Sequence, residues 1–422
     1  MRKLFLPFLL TISAWSQDTL TLPQAEALAV QNHPQIKAAL LAAAAANQVT
    51  IQVRSADYPT FFGNVTAAGA IDNSRLAAGN LNNPIIYNRI STGITASQLI
   101  TDFGRTSALV SSARQRAEAQ QDTATATRAA ILLQVDAAFY SALRAQNVLA
   151  VAKETVNNRQ VIADQVTALA NSKLKSGLDL SFANVNLGEA KLLLADAQNQ
   201  VRATFADLSA ALGLPQPREF HLVDPAEPSP LATDPAPLIQ EAEARRPEIL
   251  SARAQFAAAQ SFARAEGDLK RPTVSALGSV GVNPLYDDTH LANRFAAAGV
   301  NVNIPVFNGH LFSARQTEAE IRAQAAEQSL KDQQNRVARD VQVAWLNADN
   351  ARERIALTVE LLQQANLALD LAQGRYDLGL SSIVELSQAQ LQQTSAQISA
   401  ATAKYEYGLQ RAVLDFQTGV TK

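Results

Sequence analysis

The chain of 422 residues has no cysteine, one methionine and four histidines. Disulfides, thiolate metal sites and a lipid-modified N-terminal cysteine are therefore excluded. Aromatic residues make up only 6%. That is too few for a thick apolar core and suits long helices packed through small side chains. The charges nearly balance at a net −2, so no basic surface advertises nucleic acid. Beyond the N-terminal segment, no stretch is expected to reach the ~18 to 20 apolar residues of a membrane-spanning helix. Glycine and proline are missing altogether from Arg105 to Lys175 and from His310 to Gln373.

What is present begins with a signal-like N-terminus. Arg2 and Lys3 precede an apolar run from Leu4 to Ile12, and Ala14-Trp15-Ser16 offers small residues at the two positions a signal peptidase reads. Cleavage after Ser16 would remove both basic residues and leave a net charge of −4. The mature chain is then periplasmic, secreted or an outer-membrane β-barrel.

Helix is expected from Thr21 to about Val53, with Pro34 early in it, and Thr21 and Gln24 form a capping pair. Pro59 ends it. Tyr58 to Ile71 reads as extended, Asp72 to Asn88 as a polar loop, and Arg89 to Ile100 alternates with period two, as a strand does. At Phe103-Gly104 the period changes. The helix that follows, to about Ser176, spans ~107 Å at 1.5 Å per residue. A second helix runs from Leu178 to Leu212, where Gly213 stops it. Residues 214–237 form a proline-rich connector.

The order then repeats: helix from Leu238 to Leu269, strand from Val274 to Val282, polar loop from Pro284 to Asn293, strand from Phe295 to Val306. Asn308-Gly309 switches the chain back to helix, which runs to Gln373, and a last helix reaches about Gln417. Pro34 and Pro247, and Pro59 and Pro272, are both 213 residues apart. The chain is an internal duplication, with a signal segment at 1–16, a first repeat at 17–213, the connector at 214–237 and a second repeat at 238–422. The fold class is mixed and mainly α, built of long antiparallel helical hairpins. The half-length helices of ~52 and ~48 Å, stacked end to end, match the ~107 Å helix beside them.

Four strands cannot close a barrel, and an open sheet cannot face lipid with unpaired edges. If the strands enter a membrane, several chains must share one barrel. A small soluble β-domain capping a helical bundle is the alternative.

Three short motifs stand in order in this layout: Leu99-Ile100-Thr101-Asp102-Phe103-Gly104-Arg105 and Pro305-Val306-Phe307-Asn308-Gly309 at the switches into helix, and Arg375-Tyr376-Asp377-Leu378-Gly379-Leu380 at the second turn. With the duplicated helix-strand-strand-helix unit, they make the mature chain resemble the TolC-like outer-membrane efflux proteins. The resemblance implies a homotrimer whose four transmembrane strands per chain build a shared 12-stranded barrel in the outer membrane. It also implies an α-barrel crossing the periplasm, and a periplasmic adaptor and an inner-membrane pump as partners. The function implied is passive export through a duct that does no chemistry and needs no cofactor or metal. A periplasmic helical adaptor or spacer without a membrane barrel is the rival.

Carried over by residue, Gly177-Leu178 and Gly379-Leu380 match the turns at the periplasmic tip, where the adaptor docks. Tyr376 stands where the best-known member of the family has a tyrosine that helps hold the tip closed. Ser381 replaces an arginine of that member. Glu385 and Gln388 stand at its two acidic constriction positions. After Gly177, the position equivalent to Glu385 is Ala183. Each residue also has a plainer role: the glycines as helix caps, Tyr376 as packing, and Ser382 with Glu385 as a capping box. Lys173, Lys175, Arg375 and Asp377 read as solvated charges. His33 reads as a surface helix residue, and Trp345 as packing inside a long helix. Asp287, Asp288 and His290 could bind a metal but read as a solvated loop. Tyr58, Phe61, Phe62, Tyr286 and Phe295 fall near strand ends, where aromatic girdles sit.

Overall fold

A computed structural model of the chain describes residues 19–75, 85–226, 228 and 230–420. The signal-like segment and most of the first polar loop lie outside the described residues. In chain order the elements are β1 (Thr19–Leu20), α1 (Leu22–Asn32), α2 (Pro34–Arg54), β2 (Thr60–Ala68), β3 (Arg89–Thr101), α3 (Arg105–Asn171) and α4 (Gly177–Ala211). Then follow β4 (His221–Leu222), α5 (Ala236–Arg245), α6 (Pro247–Gly267), β5 (Thr273–Tyr286), β6 (Arg294–Asn303), α7 (Leu311–Asp377) and α8 (Ile383–Thr418). The run helix, helix, strand, strand, long helix, helix thus occurs twice.

The expected helices over 21–53 and 238–269 are each two helices. They break at His33 and Arg246, both with extended backbone (ψ 122° and 125°). Each precedes a proline, whose ring clashes with a helical conformation of the residue before it. His33 is buried rather than on the surface. Its backbone lies so close to Gly213 that a Cβ there would meet His33 Cα at 2.8 Å. Two other expectations were too short. β5 runs on to Tyr286, into the expected polar loop, and α7 continues through Gly374. β6 stops at Asn303, before the expected Val306. The segment Pro34–Asp57 is long and apolar enough to pass as a membrane span. Its alanine run supplies the hydropathy without bulk, which the sequence expectation missed.

Contacts divide the chain into two compact units, one of Met1–Ala38, Thr125–Arg246 and Arg336–Lys422, the other of Ala39–Ala124 and Pro247–Asn335. In the second, the four strands form one antiparallel sheet in the order β2-β3-β5-β6. Register puts Phe61, Val65, Ile90, Ile94, Val280 and Val300 on one face, and Thr66, Ser91, Thr95, Ser279 and Asn301 on the other. The apolar face is bare: Val65 is 78% exposed and Val300 66%. Outside the sheet, α3 meets α6 through serine. Ser112 Oγ donates to Ala258 O (2.8 Å) and Ser251 Oγ to Ala119 O (2.9 Å). The strand-to-helix switches fall at Phe103-Gly104 and Gly309-His310, all at positive φ. Asp102 Oδ2 accepts from Thr106 N (2.7 Å) and so caps α3.

The first unit has its core around Val135, Phe139, Leu143, Phe205, Leu208 and Leu212, with the two-residue parallel pair β1–β4 against it. The connector is tied down by polar bonds. Trp345 Nε1 donates to Ala232 O (2.8 Å), so this tryptophan serves as an anchor as well as packing.

Gly93 and Gly281 face each other across β3 and β5. A Cβ on Gly281 would meet Thr92 O and the Phe295 ring at 2.4 Å, whereas one on Gly63 would meet nothing within 4 Å. Gly281→Ala is therefore expected to destabilise by about 1–3 kcal/mol through overpacking, and Gly63→Ala to stay within about 0.5 kcal/mol. Thermal melting of the two purified variants checks this. Equal melting temperatures would contradict the crowding at Gly281.

Candidate functional site

The two helical hairpins turn by the same chemistry. At the end of α3, Lys173 N donates to Ala170 O (2.9 Å) and Leu174 N to Leu169 O (2.9 Å). At the end of α7, Gly379 N donates to Tyr376 O (3.0 Å) and Leu380 N to Arg375 O (2.8 Å). This bonding closes a helix through one residue in the left-handed region. That residue is Gly379 (φ 74°) in the second hairpin and Lys173 (φ 61°) in the first. Gly177 is not the turn glycine. It is the first residue of α4, after the cap Ser176, and a Cβ on it would meet nothing within 4 Å. The pairing of Gly177 with Gly379 thus slips by four residues. The capping signals, Ser176 with Asp179 and Ser382 with Glu385, give the correct register. By that register Asp179, not Ala183, corresponds to Glu385.

Caps and charges then part company. Asp179 closes a full capping box, its carboxylate accepting from Ser176 N (3.0 Å) and Oγ (2.7 Å). Glu385 completes only half of one. Its N–H reaches Ser382 Oγ at 3.4 Å, while its carboxylate pairs with Arg375 at 3.1 Å across the turn. Arg375 and Glu385 are therefore partners rather than solvated singly, and the pair is exposed enough to be worth about 1 kcal/mol or less.

The hairpins are joined to each other at Tyr376. This side chain is 4% exposed, clustered with Ala372, Ile383 and Leu386 and reached by Phe182 from α4. Lys175 Nζ sits 3.8 Å from its ring centroid, a cation–π contact between the two turns. Asn186 Nδ2 adds a bond to Ser387 Oγ (2.7 Å). The Tyr376 hydroxyl and Ser381 Oγ are buried without a hydrogen-bond partner. Burial, with Asp179 and Asp377 adding to it, raises the Tyr376 phenol above its ordinary pKa. Gln388 is exposed and does not join this cluster. Around the turns stand bare apolar side chains: Leu378 at 76%, Leu174 at 72%, Leu380 at 67% and Leu178 at 64%. Lys173 and Lys175 read from sequence as solvated charges only, and Asp179, Phe182 and Asn186 were not singled out, though the serine-to-acid spacing of the cap was there to find Asp179.

The profile of the outer membrane efflux protein family matches residues 27–214 and 238–420. The chain belongs to the outer membrane efflux protein family. This is a family of outer-membrane channel proteins, and the chain is accordingly an outer-membrane protein. CyaE of Bordetella pertussis is 28% identical over 68% of this chain and 62% of its own length. TolC of Escherichia coli K12 is 23% identical over 77% of this chain and 68% of its own. The chain thus spans about two thirds of these curated relatives. The structure of the outer-membrane channel OprN shares the fold, with a TM-score of 0.81 at 19% identity, covering 94% of this chain and 89% of that one. Among the described residues no group of His, Asp or Glu is arranged to hold a metal. His290 instead pairs with Asp287 at 3.2 Å and stacks on Tyr87.

At this turn, left-handed Lys173 is strained by about 1 kcal/mol relative to glycine. Lys173→Gly should slow amide exchange of residues 169–180 by roughly fivefold, and Gly379→Lys should speed it by a similar factor around 375–385. A speeding in both variants would contradict the turn register. At the junction, Tyr376→Phe removes an unpartnered hydroxyl and should leave the tip as stable or slightly more so. Lys175→Met should cost about 0.5–1 kcal/mol, seen as faster exchange in both turns. If Tyr376→Phe loosens the tip as much as Lys175→Met, the hydroxyl has a partner after all.

Proposed function

We propose that the chain is the outer-membrane duct of a tripartite efflux or type I secretion system, passing substrates outward without chemistry of its own. The observation that carries this reading is the sheet. It has four strands of 9 to 14 residues, one apolar face, one hydroxyl- and amide-bearing face, and open edges at β2 and β6. Tilted membrane strands need ~9–11 residues, and edges must pair before they enter lipid. Three chains pairing β6 to β2 give a closed 12-stranded barrel with Val65, Ile94, Val280 and Val300 toward outer-membrane lipid and the polar face toward the lumen. The exposed Phe61, Tyr58 and Tyr286 fit an aromatic girdle.

The long helices then form an α-barrel in the periplasm, with the two hairpin turns as its tip. Leu378, Leu380, Leu174 and Leu178 supply apolar knobs of the kind a helical adaptor hairpin packs against, beside Gly177 and Gly379. The adaptor connects the duct to an inner-membrane pump, which supplies energy and selects the cargo. Tyr376, Ser381, Glu385 and Gln388 are the constriction candidates. Of these, Glu385 is the charged one, and Arg375 masks it.

Two measurements test this. The mature protein is expected to resist carbonate extraction, to come out with detergent as a trimer, and to conduct in planar bilayers. Release by carbonate alone would favour a periplasmic adaptor or spacer and sink the channel reading. In single-channel recordings, Arg375→Gln should raise cation preference by freeing the Glu385 carboxylates, and Glu385→Gln should lower it. Unchanged selectivity in both would leave this pair a helix-turn brace only.

A further inference from the structure

The strongest unexplained group in the helical unit is Arg159. It is 8% exposed, and burial pulls its pKa down to about 10, with Glu189 acting the other way. A buried guanidinium normally has a carboxylate and several hydrogen bonds. Arg159 has one contact, Nη2 to Thr394 Oγ1, at 3.5 Å, the outer limit of a hydrogen bond. Among the described residues no carboxylate comes within ion-pairing distance of it. Glu189 is felt only through space.

Arg159 lines a cavity of about 370 Å³ between α3, α4 and α8. That volume lies in the lower part of the range of small-molecule sites, roughly 300–1,000 Å³. One wall is apolar, made of Ala190, Leu193, Leu391 and Ile398. On the polar side, most hydroxyl protons are already spent. Thr155 donates to Val151 O, Thr394 to Gln390 O, and Ser399 to Ser395 O, all within their own helices. The guanidinium is therefore the dominant free donor in the cavity.

We propose that this cavity is a binding site for a small organic monocarboxylate, whose head sits on the Arg159 fork and whose apolar body lies against Leu193, Leu391 and Ile398. A planar carboxylate matches the guanidinium fork two bonds at a time and restores the missing charge partner. Glu189 on the rim repels a second negative charge, which disfavours di- and polyanions. The site bridges hairpins: Arg159 comes from α3, and Thr394, Ser395 and Ile398 come from α8. It lies about 18 Å along α3 from the turn. A bound carboxylate ties the two hairpins together at that level. Binding here needs only the packing of α3, α4 and α8 and is independent of conduction.

The test is isothermal titration calorimetry of the full mature chain in detergent, with 4-phenylbutyrate as probe and 4-phenylbutan-1-ol as its neutral counterpart. One saturable site per chain is expected for the carboxylate, with the alcohol at least tenfold weaker. Arg159→Gln should weaken phenylbutyrate at least tenfold, and Glu189→Gln should tighten it several-fold. A purely structural arginine would produce neither the alcohol difference nor the gain at Glu189. If Arg159→Gln fails to fold, Leu391→Trp, which fills the cavity from its exposed edge, should abolish binding in its place. No saturable heat over the detergent blank, equal binding of the alcohol, or unchanged binding in a folded Arg159→Gln or Leu391→Trp protein would each overturn the site.

Discussion

A four-stranded sheet with one bare apolar face and two open edges cannot be an end state. Each unpaired edge presents a row of N–H and C=O groups, and in an apolar medium every one left unbonded costs several kcal/mol. The apolar face, with Val65 and Val300 mostly exposed, is itself costly in water. The barrel proposed above solves both problems at once: the edges of like sheets pair and the joined apolar faces meet lipid. The alternation that makes this possible is simple. Along β2, β3, β5 and β6, most large aliphatics fall on one parity and most Ser and Asn on the other, where Leu277 and the rings of Phe62 and Phe295 also lie. Gly93 and Gly281 face each other across β3 and β5, and the Phe295 ring lies over them. No other residue type would let the backbones come so close.

The helices obey a different rule, in which small residues and punctuation replace bulk. Ala, Ser and Thr fill the contacts, so hairpins approach closely with few aromatics. What sets helix length is then the chemistry of the ends. Left-handed residues stop α3, α4, α7 and α8, at Lys173, Gly213, Gly379 and Gly419. Two of these glycines do more. Gly213 packs on the break at His33 and Gly419 on the break at Arg246, so a helix end in each half fits into a helix break. Around this level the connector is held by Asp224, whose carboxylate accepts from Lys404 Nζ (2.7 Å) and Tyr405 Oη (2.9 Å). Tyr405 in turn accepts from Asn147 Nδ2 (2.7 Å). Burial and Asp224 push the Tyr405 phenol up to about 12, which keeps it a donor across the whole physiological range.

Much of this was legible in the sequence because it rests on local signals. The change of period at Phe103-Gly104 and Asn308-Gly309 marks real switches of backbone conformation, with positive φ at Phe103, Gly104, Gly309 and His310. The alternation over 89–100 is a strand because nothing in it competes. The breaks at His33 and Arg246 were missed because a proline near a helix start is commonly tolerated. Whether it interrupts depends on what packs at the break, and Gly213 and Gly419 are far away in sequence. The tip register was missed for a similar reason. Glycine is the expected left-handed residue, so Gly177 drew the eye, while Lys173 held the position at a cost of about 1 kcal/mol. The cation–π contact of Lys175 and the isolation of Arg159 had no sequence signature, since both depend on two hairpins meeting.

The energetics of the tip follow from these small pieces. Within one chain the hairpins are linked by Lys175 over the Tyr376 ring, by Asn186 to Ser387, and by the packing of Phe182. The ring contact contributes about 0.5–1 kcal/mol, and a hydrogen bond of this kind about 1 kcal/mol. The Arg375–Glu385 pair lies within a single hairpin and does not join the two. The linkage is therefore worth only a few kcal/mol, and a docking partner that covers a handful of exposed leucines at about 25 cal/mol per Å² releases free energy of the same order. A tip held by weak contacts, none of them an ion pair between hairpins, and with the Glu385 carboxylate already paired, is better suited to apolar docking than to electrostatic control. On the proposed duct reading, control of this end lies with the leucines around Gly379 and Lys173, and the Arg375–Glu385 pair braces a single turn.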